Sequence, residues 1–101
     1  MFYQMKKIVV EEGHSPKVIE RFSQQGGLMA EQPGFIDKQV LLKKSRRGNE
    51  EVIVMIRWES ETDWKSWEKH PEHIAGHKAN AGKPKPEYIV EISQDVYEAQ
   101  I

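Results

Sequence analysis

The chain has 101 residues and a formal net charge of −1, from 15 Lys plus Arg against 16 Asp plus Glu. So even a balance argues against a general nucleic-acid binder, which carries a basic excess. With no cysteine there is neither a disulfide framework nor thiol chemistry, and the length suits a single domain over residues 1–101 with a modest core that a permanent partner would reinforce.

The opening stretch MFYQMKKIVVEEG has neither the uninterrupted apolar core nor the small-residue cleavage site of a secretion signal. No apolar run approaches the roughly 18 residues that a transmembrane helix requires. With the lack of cysteine, this predicts a soluble cytoplasmic protein that binds neither membrane nor nucleic acid. Residues 2–10, rich in aromatic and β-branched types, read as a strand. GHSPKVIERFSQQGG then reads as a helix with both ends marked. Ser15 is its expected N-cap, and Pro16 fills the first helical position, where a missing N–H costs nothing. Val18, Ile19 and Phe22 share one face at helical spacing, and Gly26 and Gly27 supply a left-handed stop.

PGFIDKQVLL and EVIVMIRW read as two further strands, joined by the polar turn KKSRRGNE into an antiparallel hairpin. The basic run KKSRR, residues 43–47, is a solvated tip or a contact for an anionic partner. In the second of these strands Val52, Val54, Ile56 and Trp58 point one way, and Ile53 and Met55 point the other. A sheet with helices on one side leaves its other face wet. A strand apolar on both faces therefore predicts a second cover, and another subunit is the obvious one.

Ser60 is the expected cap of a helix carrying Trp64 and Trp67, with Asp63 completing a variant capping box. Pro71 disfavours the helical state at His70 and can open the next helix, which carries His73, Ile74 and His77 and frays at Gly82. GKPKPE is a connector and YIVEISQDVY the last strand. The order is βαββαβ with the second helix broken at Pro71. It predicts an α+β, ferredoxin-like sheet with helices on one face, paired as a homodimer through the other face, in the strongest version a closed dimeric α/β-barrel.

WKSWEKHPEHIAGH, residues 64–77, holds two of the three tryptophans and three of the four histidines. His73 and His77, four apart, share a helix face, a spacing that recurs in zinc sites. The run is H-I-A-G-H, without the glutamate general base of H-E-x-x-H, and His70 could be a third ligand. Zinc and two solvent-exposed histidines are both open, with the second preferred. There is no phosphate loop, no nucleophile elbow and no flavin or nicotinamide fingerprint. A haem pocket needs an axial imidazole, apolar walls and cations for the propionates, and this stretch offers such parts. Core tryptophans with surface histidines remain the plainer reading of these residues alone.

EGHSPKVIERF, IRWESETDWKSWEKHPEHIAGHKAN and the element order resemble the haem-degrading monooxygenases of the IsdG and HmoA type, in the antibiotic-biosynthesis monooxygenase superfamily. The HmoA branch is the nearer, through RWESE, IAGHKAN and GKPKPEY. The similarity spans nearly the whole chain, and its specific part is the frame W-x(5)-W-x(2)-W-x(9)-H from Trp58 through Trp64 and Trp67 to His77. The resemblance implies a dimeric ferredoxin-like fold with haem as both substrate and cofactor. It makes His77 the axial ligand of the haem iron and Trp67 the side chain that presses the porphyrin out of plane. It implies ring opening with O2 and electrons from an external donor, a reductase or a small reductant, with iron and a linear tetrapyrrole as products and no bound flavin or NAD. Trp64 then falls to packing, and His70 and His73 to the surface or rim. Lys6 stands where better-known members carry an asparagine, which makes it a candidate catalytic residue; Asn80 is the amide nearest His77 in sequence. Arg21, Lys78 and the lysines at 83 and 85 are propionate partners by position. Two other haem-site or superfamily activities stay open: a haem carrier or sensor that does not degrade, and a cofactor-free oxygenase acting on a polycyclic phenol. A dimeric domain without small-molecule chemistry is the remaining reading.

Overall fold

In the computed structural model the chain is described over residues 1–23, 27–44, 47–80, 82 and 85–101. Its elements run β1 (Phe2–Val10), α1 (Ser15–Phe22), α2 (Gly27–Ala30), β2 (Phe35–Leu42), β3 (Glu50–Trp58), α3 (Glu61–Glu68), α4 (Pro71–Asn80) and β4 (Ile89–Glu98). The strands form one sheet in the order β2-β3-β1-β4, antiparallel at every junction. This is the expected α+β, ferredoxin-like arrangement, with the second helix divided at Pro71.

Strand alternation builds the core. The pairs Phe2↔Trp58 and Ile8↔Val52 put the even-numbered residues of β1 and β3 on one side of the sheet. There Phe2, Ile8, Val10, Val52, Val54, Ile56 and Trp58 are buried together with Val18 from α1, Trp67 from α3 and Ile89 from β4. Trp58 is wholly enclosed. Its Nε1–H donates to Gln4 Oε1 at 3.4 Å, and Phe35 meets its ring edge-on at 5.7 Å. Trp64 packs on Phe2 at 5.2 Å, the packing role expected of it.

The start of α1 differs from expectation. Ser15 is not the N-cap but the first helical residue, and it is buried. His14 occupies the cap position without a side-chain bond. The cap comes from across the sheet: the backbone N–H groups of Gly13 and Ser15 both donate to Glu50 Oε1 at 3.0 Å. A remote carboxylate both satisfies helix N–H groups and meets the positive end of the helix dipole. The end of α1 also differs. It stops at Phe22, where the Ser23 hydroxyl donates to Glu20 O at 2.8 Å. Gly27, at φ 55°, opens the four-residue helix α2 rather than closing α1, while Gly26 lies outside the described residues. A helix of one turn is too short to leave a periodic pattern.

The other boundaries fall as expected. Ser60 Oγ accepts the Asp63 N–H at 3.2 Å and donates to Asp63 Oδ2 at 2.9 Å. β2 and β3 pair as a hairpin, though Ser45 and Arg46 of its turn lie outside the described residues. β2 enters through Gly34, whose φ is +85° and whose carbonyl accepts the Glu59 N–H at 2.8 Å. A Cβ there would lie 2.2 Å from the Asp63 carboxyl carbon, so a side chain would meet both a strained backbone and the α3 cap. On the far side of the sheet Met5, Ile53 and Met55 are half-buried and Leu41 and Tyr97 exposed. β3 is thus apolar on both sides.

Hydrogen bonds from Ser15 and then Gly13, opposed by slight desolvation, hold the Glu50 carboxyl below its ordinary value of 4.5. Glu50→Gln keeps an acceptor but removes the charge, so wild type should be the more stable at pH 7. A lowered carboxylate pKa contributes stability above the unfolded value, and that contribution is lost as pH falls through the folded one. The gap between the two proteins should therefore close below pH 4.5. Urea midpoints at about pH 7 and pH 3 measure this, and a constant gap would sink it.

Candidate active site

On the core side of β1 the apolar alternation breaks at Gln4 and Lys6. Lys6 faces Val54 on β3 and Gln94 on β4, and Lys38 lies opposite Ile56 on the neighbouring strand pair. The helices do not close over this polar ground. A cleft of about 310 Å³ remains, with Gln4, Lys6, Lys38 and Gln94 among its lining and Phe22, Met29, Val54 and Ile56 as apolar wall. Trp67, His73 and His77 complete it. The same three side chains border a more open hollow of about 360 Å³, next to Leu28, Glu72 and Gly76.

Trp67 comes from α3 and is buried; His77 comes from α4 and is exposed. His73 joins them. Its ring centroid is 4.7 Å from that of Trp67 and 4.4 Å, edge-on, from that of His77. His73 Nε2 lies 3.2 Å from Glu68 Oε2 and 3.1 Å from His77 Nε2. His73 is therefore part of the cleft wall. His70 serves the helix start instead. Its Nδ1 accepts the Glu72 N–H at 3.1 Å and its carbonyl accepts the Ile74 N–H at 3.0 Å, which caps α4. Among the described residues no group of three or more His, Asp or Glu side chains could hold a metal ion.

Lys6 is half-buried, with Nζ 5.2 Å from the Phe22 ring centroid. Burial, and secondarily the charge of Arg21, pull its pKa below the ordinary lysine value; burial does the same to Lys38. Arg21 is exposed, 5.7 Å from the Phe22 ring, and reaches a separate niche of about 70 Å³ that it shares with Lys6 and Tyr88. Lys78 and Lys85 are exposed and line none of these hollows. Lys83 and the Asn80 side chain lie outside what is described.

The antibiotic biosynthesis monooxygenase family model matches residues 1–79. The chain belongs to the antibiotic biosynthesis monooxygenase family. Haem-degrading monooxygenase HmoA of Bacillus subtilis (strain 168) is 58% identical over 97 residues, 96% of this chain and 89% of that one. A Bacillus cereus protein assigned to the antibiotic biosynthesis monooxygenases has a crystal structure that superposes with a TM-score of 0.85 at 47% identity, covering 99% of this chain and 91% of that one. The haem degrader MhuD of Mycobacterium tuberculosis, crystallised with two haems in its active site, shares the fold at a TM-score of 0.69 and 24% identity, over 100% of this chain and 97% of that one.

Within this family member the cleft includes side chains that motif reading passed over. Glu68, Lys38, Gln4, Gln94 and Met29 all lie in or beside it. Inward polar positions on strands were the available signal for Gln4 and Lys6. Met29 gave none, because its helix has one turn. Holding an ammonium against partial desolvation costs the fold, and the penalty applies at every pH below the lowered pKa. Lys6→Met should therefore raise stability, by about 0.5–2 kcal/mol if it behaves as stabilising substitutions commonly do. A solvated surface lysine would leave it within about 0.5 kcal/mol, and the urea midpoint distinguishes the two.

Proposed function

We propose that the protein is a haem-degrading monooxygenase that opens the porphyrin ring with O2 and electrons from an external donor, a reductase or small reductant, releasing iron and a linear tetrapyrrole. One observation carries the reading: Trp67 and His77, ten residues apart in the chain, border a single cleft whose opposite wall is a cationic sheet floor. The B. subtilis relative named as a haem-degrading monooxygenase, 58% identical, points the same way.

The donor set fits the group. A neutral imidazole is a haem axial ligand, and His77 is exposed enough to be reached. The Trp67 indole, fixed in the core, is a rigid apolar wall on which a macrocycle can lie. Lys6 and Lys38 supply cations for carboxylates. At about 310 Å³ the cleft stands at the small end of ligand sites and is open on one side. Haem, when bound, supplies both the redox-active iron and the ring that is consumed. The chain's part is to orient it through His77, shape it against Trp67 and present the Lys6 ammonium, a donor without acceptor capacity. The charge of Arg21 contributes to the field at Lys6. A cysteine-free chain suits the reducing cytoplasm, where we place the reaction. The half-buried Met5, Ile53 and Met55 support a homodimer closed sheet to sheet, and sedimentation should give twice the 11.8 kDa chain mass.

Lys6 also favours a second reading, a haem carrier, since it replaces a residue type that both donates and accepts. Titration with haemin, followed by reductant in air with catalase present, separates the two. Monooxygenase action shows as a Soret band that forms and then decays with release of free iron, whereas a stable band indicates a carrier. His77→Ala should weaken haemin binding by more than about 100-fold, beyond what loss of an outer partner produces. Binding and turnover equal to wild type in that variant would remove His77 from the site.

A further inference from the structure

Glu68, His73 and His77 meet at one atom. His73 Nε2 lies 3.2 Å from Glu68 Oε2 and 3.1 Å from His77 Nε2. The His73 side chain is 16% exposed, and its ring lies against Trp67, with 4.7 Å between centroids. His77 is exposed. His73 is thus the fixed partner and His77 the movable one. An ionised carboxylate only accepts, so the hydrogen facing Glu68 sits on His73 Nε2. That hydrogen also faces His77 Nε2, which meets it with a lone pair. Both separations exceed the usual value of about 2.9–3.0 Å, as fits one hydrogen shared between two acceptors. The lone pair that a ligating imidazole gives away is therefore already engaged. Nδ1 then carries the ring hydrogen, so a neutral His77 has no second lone pair to offer. A Lewis acid would approach Nε2 along the line on which His73 stands. Nε2 becomes available only when the His77 ring turns off His73.

We propose that His73 is a latch on His77 that competes with any ligand of its Nε2, and that Glu68 is the acceptor that lets the latch open. When His77 turns away, the His73 N–H keeps Glu68 as its partner and is not stranded. Opening therefore costs about one net hydrogen bond and leaves no buried donor unpaired. Exposed side chains change rotamer within nanoseconds, so the latch acts on affinity and does not limit the rate of entry. The same cost falls on every ligand of His77. A ligand that takes only the lone pair does not recover it. One that also lies on Trp67 and sets carboxylates against Lys6 and Lys38 recovers it from those contacts. His73 thus disfavours lone metal ions at His77 relative to a large, flat, anionic ligand.

The latch rests on the reading of His77 as a haem ligand, and two probes separate the two ideas. The first is haemin, titrated by its Soret band into the full-length protein at about pH 7.5, one unit above the ordinary imidazole value. His73→Ala should tighten haemin binding by about 2- to 10-fold, the worth of one net hydrogen bond. Glu68→Ala should weaken it by a similar factor, because the His73 N–H then has only His77 to hold. The double variant should match His73→Ala. A merely structural pair would change affinity in the same direction in both single variants. The second probe is diethyl pyrocarbonate, which acylates an imidazole through a nitrogen lone pair and needs no haem. Peptide mass spectrometry follows His77 alone. Its acylation should be about 2- to 10-fold faster in His73→Ala and slower in Glu68→Ala. Far-UV circular dichroism checks each fold, and His73→Leu takes the place of the alanine variant if that one unfolds. Unchanged or slower His77 acylation, or unchanged or weaker haemin binding, in a folded His73 variant overturns the latch. So does a gain, or no change, from Glu68→Ala. If wild type binds no haemin, the haem reading falls while the acylation rates still decide the latch.

Discussion

Proline has no amide hydrogen, and its ring bars the preceding residue from the helical basin. At Pro71 this constraint determines the geometry of the cleft. On an unbroken helix residues ten apart are turned about 80° from each other and lie about 15 Å apart along the axis. Trp67 and His77 would then look in different directions from distant turns. The break lets α3 drive Trp67 into the core while α4 sets off from a new cap, the His70 ring, and carries His73 and His77 back beside it. His70 makes the break stable, since it gives the Glu72 N–H a partner that the lost helical turn no longer provides.

The second requirement is a sheet that gives up part of its core. A strand packed under helices normally turns apolar residues inward at every second position. β1 does so at Phe2, Ile8 and Val10 but turns Gln4 and Lys6 the same way. Gln4 Oε1 accepts from the Trp58 indole N–H. Lys6 lies against the Phe22 ring at the cost of a depressed pKa. Those positions subtract from hydrophobic burial in a chain with little to spare. They are retained where a cleft needs a polar floor, and local rules are broken at such places.

Much of this was legible from residue order alone. The strands were legible because alternation and β-branched content mark them, and the divided helix because Pro71 and the Ser60 cap are punctuation that few other structures tolerate. Trp67 and His77 were legible only through a family frame, since periodicity cannot say which surface histidine faces a cavity. The misses have physical causes. Ser15 looks like a cap because capping is usually local; the actual partner, Glu50, is 35 residues away and becomes adjacent only when β3 folds beside α1. The contact of His73 with Glu68 was not legible, because Glu68 lies five residues back across a helix break. Helical spacing does not join them.

Site and outer face are written on the same strands. Along β1, Gln4 and Lys6 belong to the cleft, while Tyr3, Met5 and Lys7 belong to the opposite side. β3 repeats the arrangement with Val54 and Ile56 inward and Ile53 and Met55 outward. Strand pairing that slipped by one residue would exchange the two sets, which would bury Lys7 and expel Val54. The two central strands leave little room for such slippage, because Trp58 at one end of their shared register and Val10 at the other are fully buried. The irregularities are pushed outward: β2 slips in register between Phe35 and Asp37, and β4 opposite Val9 and Val10. Edge strands can absorb such bulges at low cost. What they protect is the alternation in the middle, on which the cationic floor and the apolar back both depend.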